Sequence, residues 1–277
     1  MISKRIEQLY KYGFRGVLND LRSLPHLELH FRTAPSVDGQ FSFDVPIAKC
    51  RNIIQQRYDW DENPFVRSAS ELIASNRKGA AAILRDYYAK NQPESLYACF
   101  YHSQLAEIDF EARSKHQSPY LIIPPWDAMR RRNLERIADK KRVHPLIGPQ
   151  NDAVISAHLD RFQAVSESIK QHGYQPNFFG HIQGHVLDRG DDAVFVVTSG
   201  KHRVAVLAAL GLESIPVSFK RNMPHSFCLG QSSYWPNVVN EMYSLEEAEF
   251  IFNGFFSGGP DYSDCREADR ASGTSAL

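Results

Sequence analysis

Between residues 4 and 21 the apolar side chains Ile6, Leu9, Tyr10, Phe14, Val17, Leu18 and Leu21 recur at steps of three and four. That is the period of an amphipathic helix, weakened here by Gly13 and Gly16. His26 to Phe31 alternates instead, as a short strand does, and the polar stretch from Thr33 to Gln40 reads as a loop. Residues 47–57, 69–75, 79–90 and 94–106 read as short helices. Asn76 is placed to cap the third of them, and Pro93 stands where the fourth begins. Pro124 and Pro125 forbid a helix over 119–126, which reads as extended. The first half is thus mainly helical, without an internal repeat or a low-complexity tract.

The pattern changes after residue 142. The string His144-Pro145-Leu146-Ile147-Gly148-Pro149 is rich in turn formers and marks the expected domain boundary. Residues 157–172 place Leu159, Phe162, Val165 and Ile169 on one helical face, and Gly173 is placed to end that helix. Residues 181–187 read as a strand and Asp188 to Asp192 as a turn. Ala193 to Thr198 is a β-branched run expected to be a buried strand. Ser199-Gly200-Lys201-His202-Arg203 follows at once, then an almost wholly apolar helix from Val204 to Leu210, stopped by Gly211. Ile215 to Phe219 is a further strand, in which Pro216 favours an edge or a strand start.

Charge sharpens this division. The chain carries 32 Lys and Arg against 32 Asp and Glu, a net charge of zero. The balance counts against a protein that coats nucleic acid with a basic surface. It is uneven, however. Residues 129–142 hold seven bases and two acids, residues 241–277 two bases and eight acids, and residues 143–220 six bases and seven acids. The basic run has helical spacing, with Arg131 and Glu135 able to pair, but no aromatic residue within it offers a platform for bases. Cys50, Cys99, Cys228 and Cys265 form no CxxC pair, so reduced structural thiols are expected rather than a disulfide framework or a thiolate zinc site. No apolar run is long enough to span a bilayer, and Met1 to Arg5 is not followed by a signal-peptide apolar segment. A cytoplasmic protein without a membrane span is expected.

The candidate chemistry lies where the 193–198 strand meets its helix. Free N–H groups of a first helical turn, with the helix dipole behind them, make an anion site. Gly200 lets a ligand approach the backbone, and Ser199 is a plausible cap. Lys201 and Arg203 add full positive charges, and His202 can donate to a phosphate or carry a proton. A buried helix prefers acids at this end, so three chargeable bases there call for a counter-anion. The competing reading has these side chains in solvent, paired with Asp188, Asp191 or Asp192. A P-loop is excluded, because His202 follows Lys201 and Phe195 takes the place of the upstream glycine; the dinucleotide pattern GxGxxG is absent too.

Gly200-Lys201-His202-Arg203, followed by Ala205, Leu207, Ala209-Leu210-Gly211 and Ile215-Pro216-Val217, resembles the GxHR-type signature of the ParB N-terminal/sulfiredoxin-like superfamily. Arg161 to Tyr174, with Ser168, Ile169 and Gly173, resembles the helix that precedes it there, so the match covers roughly residues 143–220. The resemblance implies a small α/β fold that binds a nucleotide, ATP or CTP with Mg²⁺, through Ser199, Gly200, Lys201, His202 and Arg203. Lys201 stands where sulfiredoxins carry their cysteine, which argues against sulfinic-acid reduction. His202 stands where partition proteins show a second arginine, and residues 221–256, with Pro224 and Pro236, offer no pair of recognition helices. A kinase-like branch needs a carboxylate, for which Asp160 is the catalytic candidate beside His202; Asp188, Asp191 and Asp192 are candidates for holding Mg²⁺.

His181 and His185 form an HxxxH pair, but on a strand they stand about 13 Å apart, too far for one zinc. Ser199 lacks the GxSxG elbow of a hydrolase nucleophile. Trp60, Trp126 and Trp235 lie in separate segments and read as packing residues. The expected class is α+β: a mainly helical region over 1–142, a ParB/sulfiredoxin-like α/β domain over 143–225, a C-terminal extension over 226–256 and a disordered tail over 257–277. The expected function is a nucleotide-dependent phosphotransferase or hydrolase acting on a small molecule. A non-catalytic nucleotide- or anion-sensing module that recruits a protein partner is the alternative, and a DNA-associated protein using 129–142 is the third.

Overall fold

The structure, a computed structural model, describes residues 32–37, 40–59, 61, 63–93, 97–100, 122–127, 143–219 and 224–257. The expected 4–21 helix, the His26–Phe31 strand, the basic 129–142 segment, Trp60, Cys265 and the tail beyond Ser257 lie outside these residues. The elements in chain order are β1 (Arg32–Val37), β2 (Gln40–Pro46), β3 (Cys50–Arg51), α1 (Pro64–Ile73), α2 (Arg77–Lys90), α3 (Asp152–His172), α4 (Pro176–Phe179), β4 (Ile182–Asp188), β5 (Ala193–Ser199), α5 (Lys201–Ala209), β6 (Ser214–Phe219), β7 (Ser226–Cys228), α6 (Pro236–Val239) and α7 (Leu245–Ser257). The α+β class expected from the sequence is what these elements show.

Local chemistry sets the helix ends. The Asn63 side chain accepts from the N–H groups of Phe65 (3.0 Å) and Val66 (3.1 Å) with Pro64 at the first helical position, so α1 starts five residues before the expected 69. Asn76 caps α2 as expected, accepting from Gly79 N–H at 2.9 Å. Asn151 caps α3, which therefore begins at Asp152 rather than at 157, and Gly173 ends it with a φ of 72°. The Asp188–Asp192 turn joins β4 to β5 as an antiparallel hairpin. Gly190 takes a φ of 99° there, and Asp188 accepts from its N–H at 2.7 Å.

The seven strands of the described residues form one mixed sheet in the order β1-β2-β6-β4-β5-β3, with β7 pairing with β4 beyond the end of β6. β2 runs antiparallel to β6, and β3 runs parallel to β5. The N-terminal strands therefore flank the β6-β4-β5 group on both sides. This corrects two expectations: the Thr33–Gln40 loop belongs mostly to β1 and its neighbour, and the 47–57 helix is one 3-10 turn, Ile47–Lys49, followed by β3. Pairing decides both, since Cys50 and Arg51 find partners in Phe195 and Val196. Of the expected 94–106 helix, residues 97–100 are described and hold one 3-10 turn, Tyr97–Cys99.

The sheet does not divide at residue 142. One buried core runs from Phe43 to Phe255. The expected connector is part of it: Leu146 and Ile147 are buried, and the hydroxyls of Tyr87 and Tyr88 on α2 donate to the carbonyls of Leu146 (2.5 Å) and Pro145 (2.8 Å). The 226–256 extension supplies β7 and α7, and α7 packs against β5. Helices α1, α2, α3 and α5 pack on one another, and α5 also lies against β4. Pro216 sits between two strands without breaking the ladder, because pairing to β4 starts only at Val217. Cys50 and Cys99 are buried and Cys228 partly so; burial pushes their thiols up to about 12, 12 and 11, and none of the three is in a disulfide. Among the described residues no helix is long and apolar enough to cross a membrane.

Candidate functional site

The expected strand-to-helix junction forms as read. β5 delivers the chain to Gly200, whose backbone is left-handed (φ 88°, ψ 20°), and α5 starts at Lys201. No side chain caps α5, so Ser199 does not take the capping role open to it in sequence. The Cβ that any other residue would carry at 200 falls 3.0 Å from Ile182 Cγ1 and 3.1 Å from Arg203 Nη2. Glycine is thus required both for the turn and for the fit.

The uncapped helix end opens on a cavity of about 220 Å³. Thr198, Ser199, Gly200, Lys201 and His202 form one wall; His158 and Phe162 of α3, Pro145 and Leu146 form another. Tyr58 and Phe65 close it from the N-terminal half of the chain. Most of the wall is apolar, with polar groups converging at the helix start, as in small-molecule sites generally. No carboxylate is among these lining residues.

A hydrogen-bonded relay crosses one wall. Tyr88 Oη lies 3.1 Å from His158 Nε2, and His158 Nδ1 lies 2.8 Å from His202 Nε2. Its polarity follows from its end. The Pro145 carbonyl can only accept, so the single Tyr88 proton goes to it and the Tyr88 oxygen accepts from His158 Nε2–H. With His158 neutral, its Nδ1 is then bare and accepts from His202 Nε2–H, which leaves His202 Nδ1 without a proton. That nitrogen makes no hydrogen bond among the described residues. Both rings are held neutral. Burial, then the charge of Lys201, lowers His158; burial, then His158, Arg161 and Lys201, takes His202 down to about 4. His144 nearby falls to about 3, through burial and then Lys201.

The other expected residues are used elsewhere. Arg203 turns away from the cavity and binds backbone carbonyls of the α4–β4 link: Phe179 (3.3 Å), His181 (3.1 Å) and Gly180. Asp160 pairs with Arg77 at 2.6 Å and does not line the cavity. Asp188, Asp191 and Asp192 sit at the start of β5, roughly 20 Å from Gly200 by the rise of a strand. Asp191 pairs with Arg189 and Asp192 with Lys49, while Asp188 is buried. Among the described residues no group of three His, Cys, Asp or Glu side chains has the arrangement to hold a metal ion. His185 is buried and accepts from Trp126 Nε1–H at 3.0 Å. Trp126 and Trp235 are core residues, as expected.

Residues that sequence reasoning missed are His158, Tyr88, Tyr58 and Phe65. For His158 a signal existed: it stands three residues after Ile155 and four before Phe162, inside the buried stripe of α3. A histidine on an apolar face needs a partner, and here the partner is His202. No family model, curated protein or solved structure matches the chain.

Proposed function

We propose that the cavity binds the phosphate group of a nucleotide, as the GxHR-type sequence resemblance implies, and that the protein is a nucleotide-binding module. The observation that carries this reading is the uncapped N-terminus of α5, with Lys201 beside it, opening into a cleft that is partly open to solvent. The volume has room for on the order of seven water-sized groups. That suits one phosphate and the atoms it is joined to, with the rest of the nucleotide outside. A bound Mg²⁺ is a poorer fit, since no carboxylate is among the described residues that line the cavity; no role is given to one here.

Binding without turnover, in which ligand occupancy is read by a protein partner, is the first reading, since the described lining residues include no carboxylate. Nucleotide hydrolysis or phosphotransfer is the second reading, in which the bare Nδ1 of His202, a weak base while the site is empty, is the candidate proton acceptor. Thermal unfolding in ATP, CTP, ADP and pyrophosphate, each with and without Mg²⁺, tests the proposal. A ligand at a hundred times its Kd stabilises by about 2.7 kcal/mol. That stabilisation is expected for the wild type and lost in Lys201→Ala; no response to any of the four overturns the reading. Phosphate release from ATP or CTP separates the second reading from the first.

A further inference from the structure

We propose that the cavity takes up a tetrahedral dianion together with one proton, shared by the His158–His202 pair, so that its ligand is a terminal phosphate in its doubly charged form. This rests on the phosphate-binding reading above and adds the charge state that the site selects.

The geometry limits the pair to one proton. The 2.8 Å contact needs a bare nitrogen on one side, and His158 Nδ1 supplies it by accepting from His202 Nε2–H. If both rings were protonated, two N–H groups would face each other. If one is, Nδ1 of His202, a cavity-lining residue, carries the added proton while Nε2–H still donates to His158. The Tyr88–Pro145 end is unaffected, since Tyr88 accepts from His158 Nε2–H in either state.

The surroundings determine when that proton binds. The charges that act on the rings are cations, Lys201 from α5 and Arg161 from α3. His144, in the segment before α3, is held neutral by burial and then by the same Lys201. Tyr88 of α2 is held as the phenol by burial, as is Tyr58 before α1. The nearest acid of α3, Asp160, is drawn to Arg77 on its outer side. Arg203, the other cation of the motif, is turned to carbonyls. Among the described residues, a dianion at the start of α5 therefore meets one ammonium, that of Lys201, and its second charge lies beside the histidine pair. An opposite charge within a few ångströms favours the protonated ring by about one to three pH units.

Sulfate is the probe, because it stays a dianion throughout the range in which histidines titrate. The histidine rings of the full chain are followed by NMR against pH in sulfate, and in chloride and perchlorate at matched ionic strength. The expected result is one titration of the pair, raised by about one to three pH units in sulfate and unmoved by the perchlorate monoanion. His158→Asn, which keeps a side chain able to bond His202, is expected to remove that response; if this variant does not fold, the number of protons gained by the wild-type pair decides. Movement of the 201–203 amides in sulfate with no change in the ring titration overturns the proton linkage and leaves the binding reading standing. No response of rings or amides to sulfate or to ADP overturns both.

Discussion

Replacing Gly200 by alanine perturbs the junction on which the site is built, and its cost can be worked from the structure. A non-glycine residue at a left-handed φ of 88° costs about 1–2 kcal/mol. The smaller entropy of the unfolded alanine chain returns about 0.4–1 kcal/mol of this. The added Cβ also meets Ile182 Cγ1 at 3.0 Å, and neither neighbour can easily yield: Ile182 is fully buried and Arg203 is held by its three carbonyls. Overpacking of this kind adds roughly 1–3 kcal/mol. Gly211→Ala is the control, since φ there is 78° but the built Cβ meets nothing within 4 Å. The expected outcome in urea unfolding is a loss of about 2–3 kcal/mol for Gly200→Ala against about 1 kcal/mol or less for Gly211→Ala, with unchanged m-values. Equal losses for the two would refute the tight Gly200–Ile182–Arg203 packing and leave backbone conformation as the whole effect.

Three further outcomes can be measured by equilibrium unfolding. Burial and nearby cations lower His202 from 6.5 to about 4 in the fold, so below pH 6.5 the unfolded chain binds a proton that the folded one refuses. Stability is then lost as pH falls from about 6.5 to 4, by at most about 1.4 kcal/mol per pH unit for this group, and His202→Gln should flatten the slope. Asn63→Ala removes the two capping bonds of α1 and should cost about 1–2 kcal/mol; a loss of a few tenths would mean the cap contributes little. Trp126→Ala empties a fully buried site among Trp235, Phe252 and Phe255 and leaves the Nε2 of His185 without its donor, for about 3–5 kcal/mol.

Much of the second half was legible because its signals are local. The asparagine and glycine ends of helices, the Asp188–Asp192 hairpin and the β5–Gly200–α5 junction each follow from a few adjacent residues. The first half was misread where structure depends on distant partners. Thr33 to Val37, the string TAPSV, carries little strand signal, yet it pairs with β2, which is itself held by β6 about 170 residues later in the chain. Arg51 is charged but buried, because its guanidinium donates to the carbonyls of Phe255, Ala48 and Cys50. Reading 144–149 as a boundary failed for a related reason: turn-forming sequence marks irregular backbone, and here that backbone is tied to α2 by two tyrosine hydroxyls and forms a wall of the cavity.

The same limit changes what the motif means. Lys201, His202 and Arg203 read in sequence as three positive groups aimed at one anion, which would suit a polyphosphate. Folding distributes them differently. Arg203 spends its charge on the carbonyls between α4 and β4, and His202 is neutral, half-buried beside a second neutral histidine that sequence spacing does not bring to it. Among the described residues, Lys201 alone combines a full charge with a place on the cavity wall. Among the described residues the junction is therefore less basic than its sequence, which on the proposed reading suits a single phosphate better than a chain of them. A residue on α3, missed because it sits within an apolar stripe, thus hydrogen-bonds a motif histidine 44 positions away.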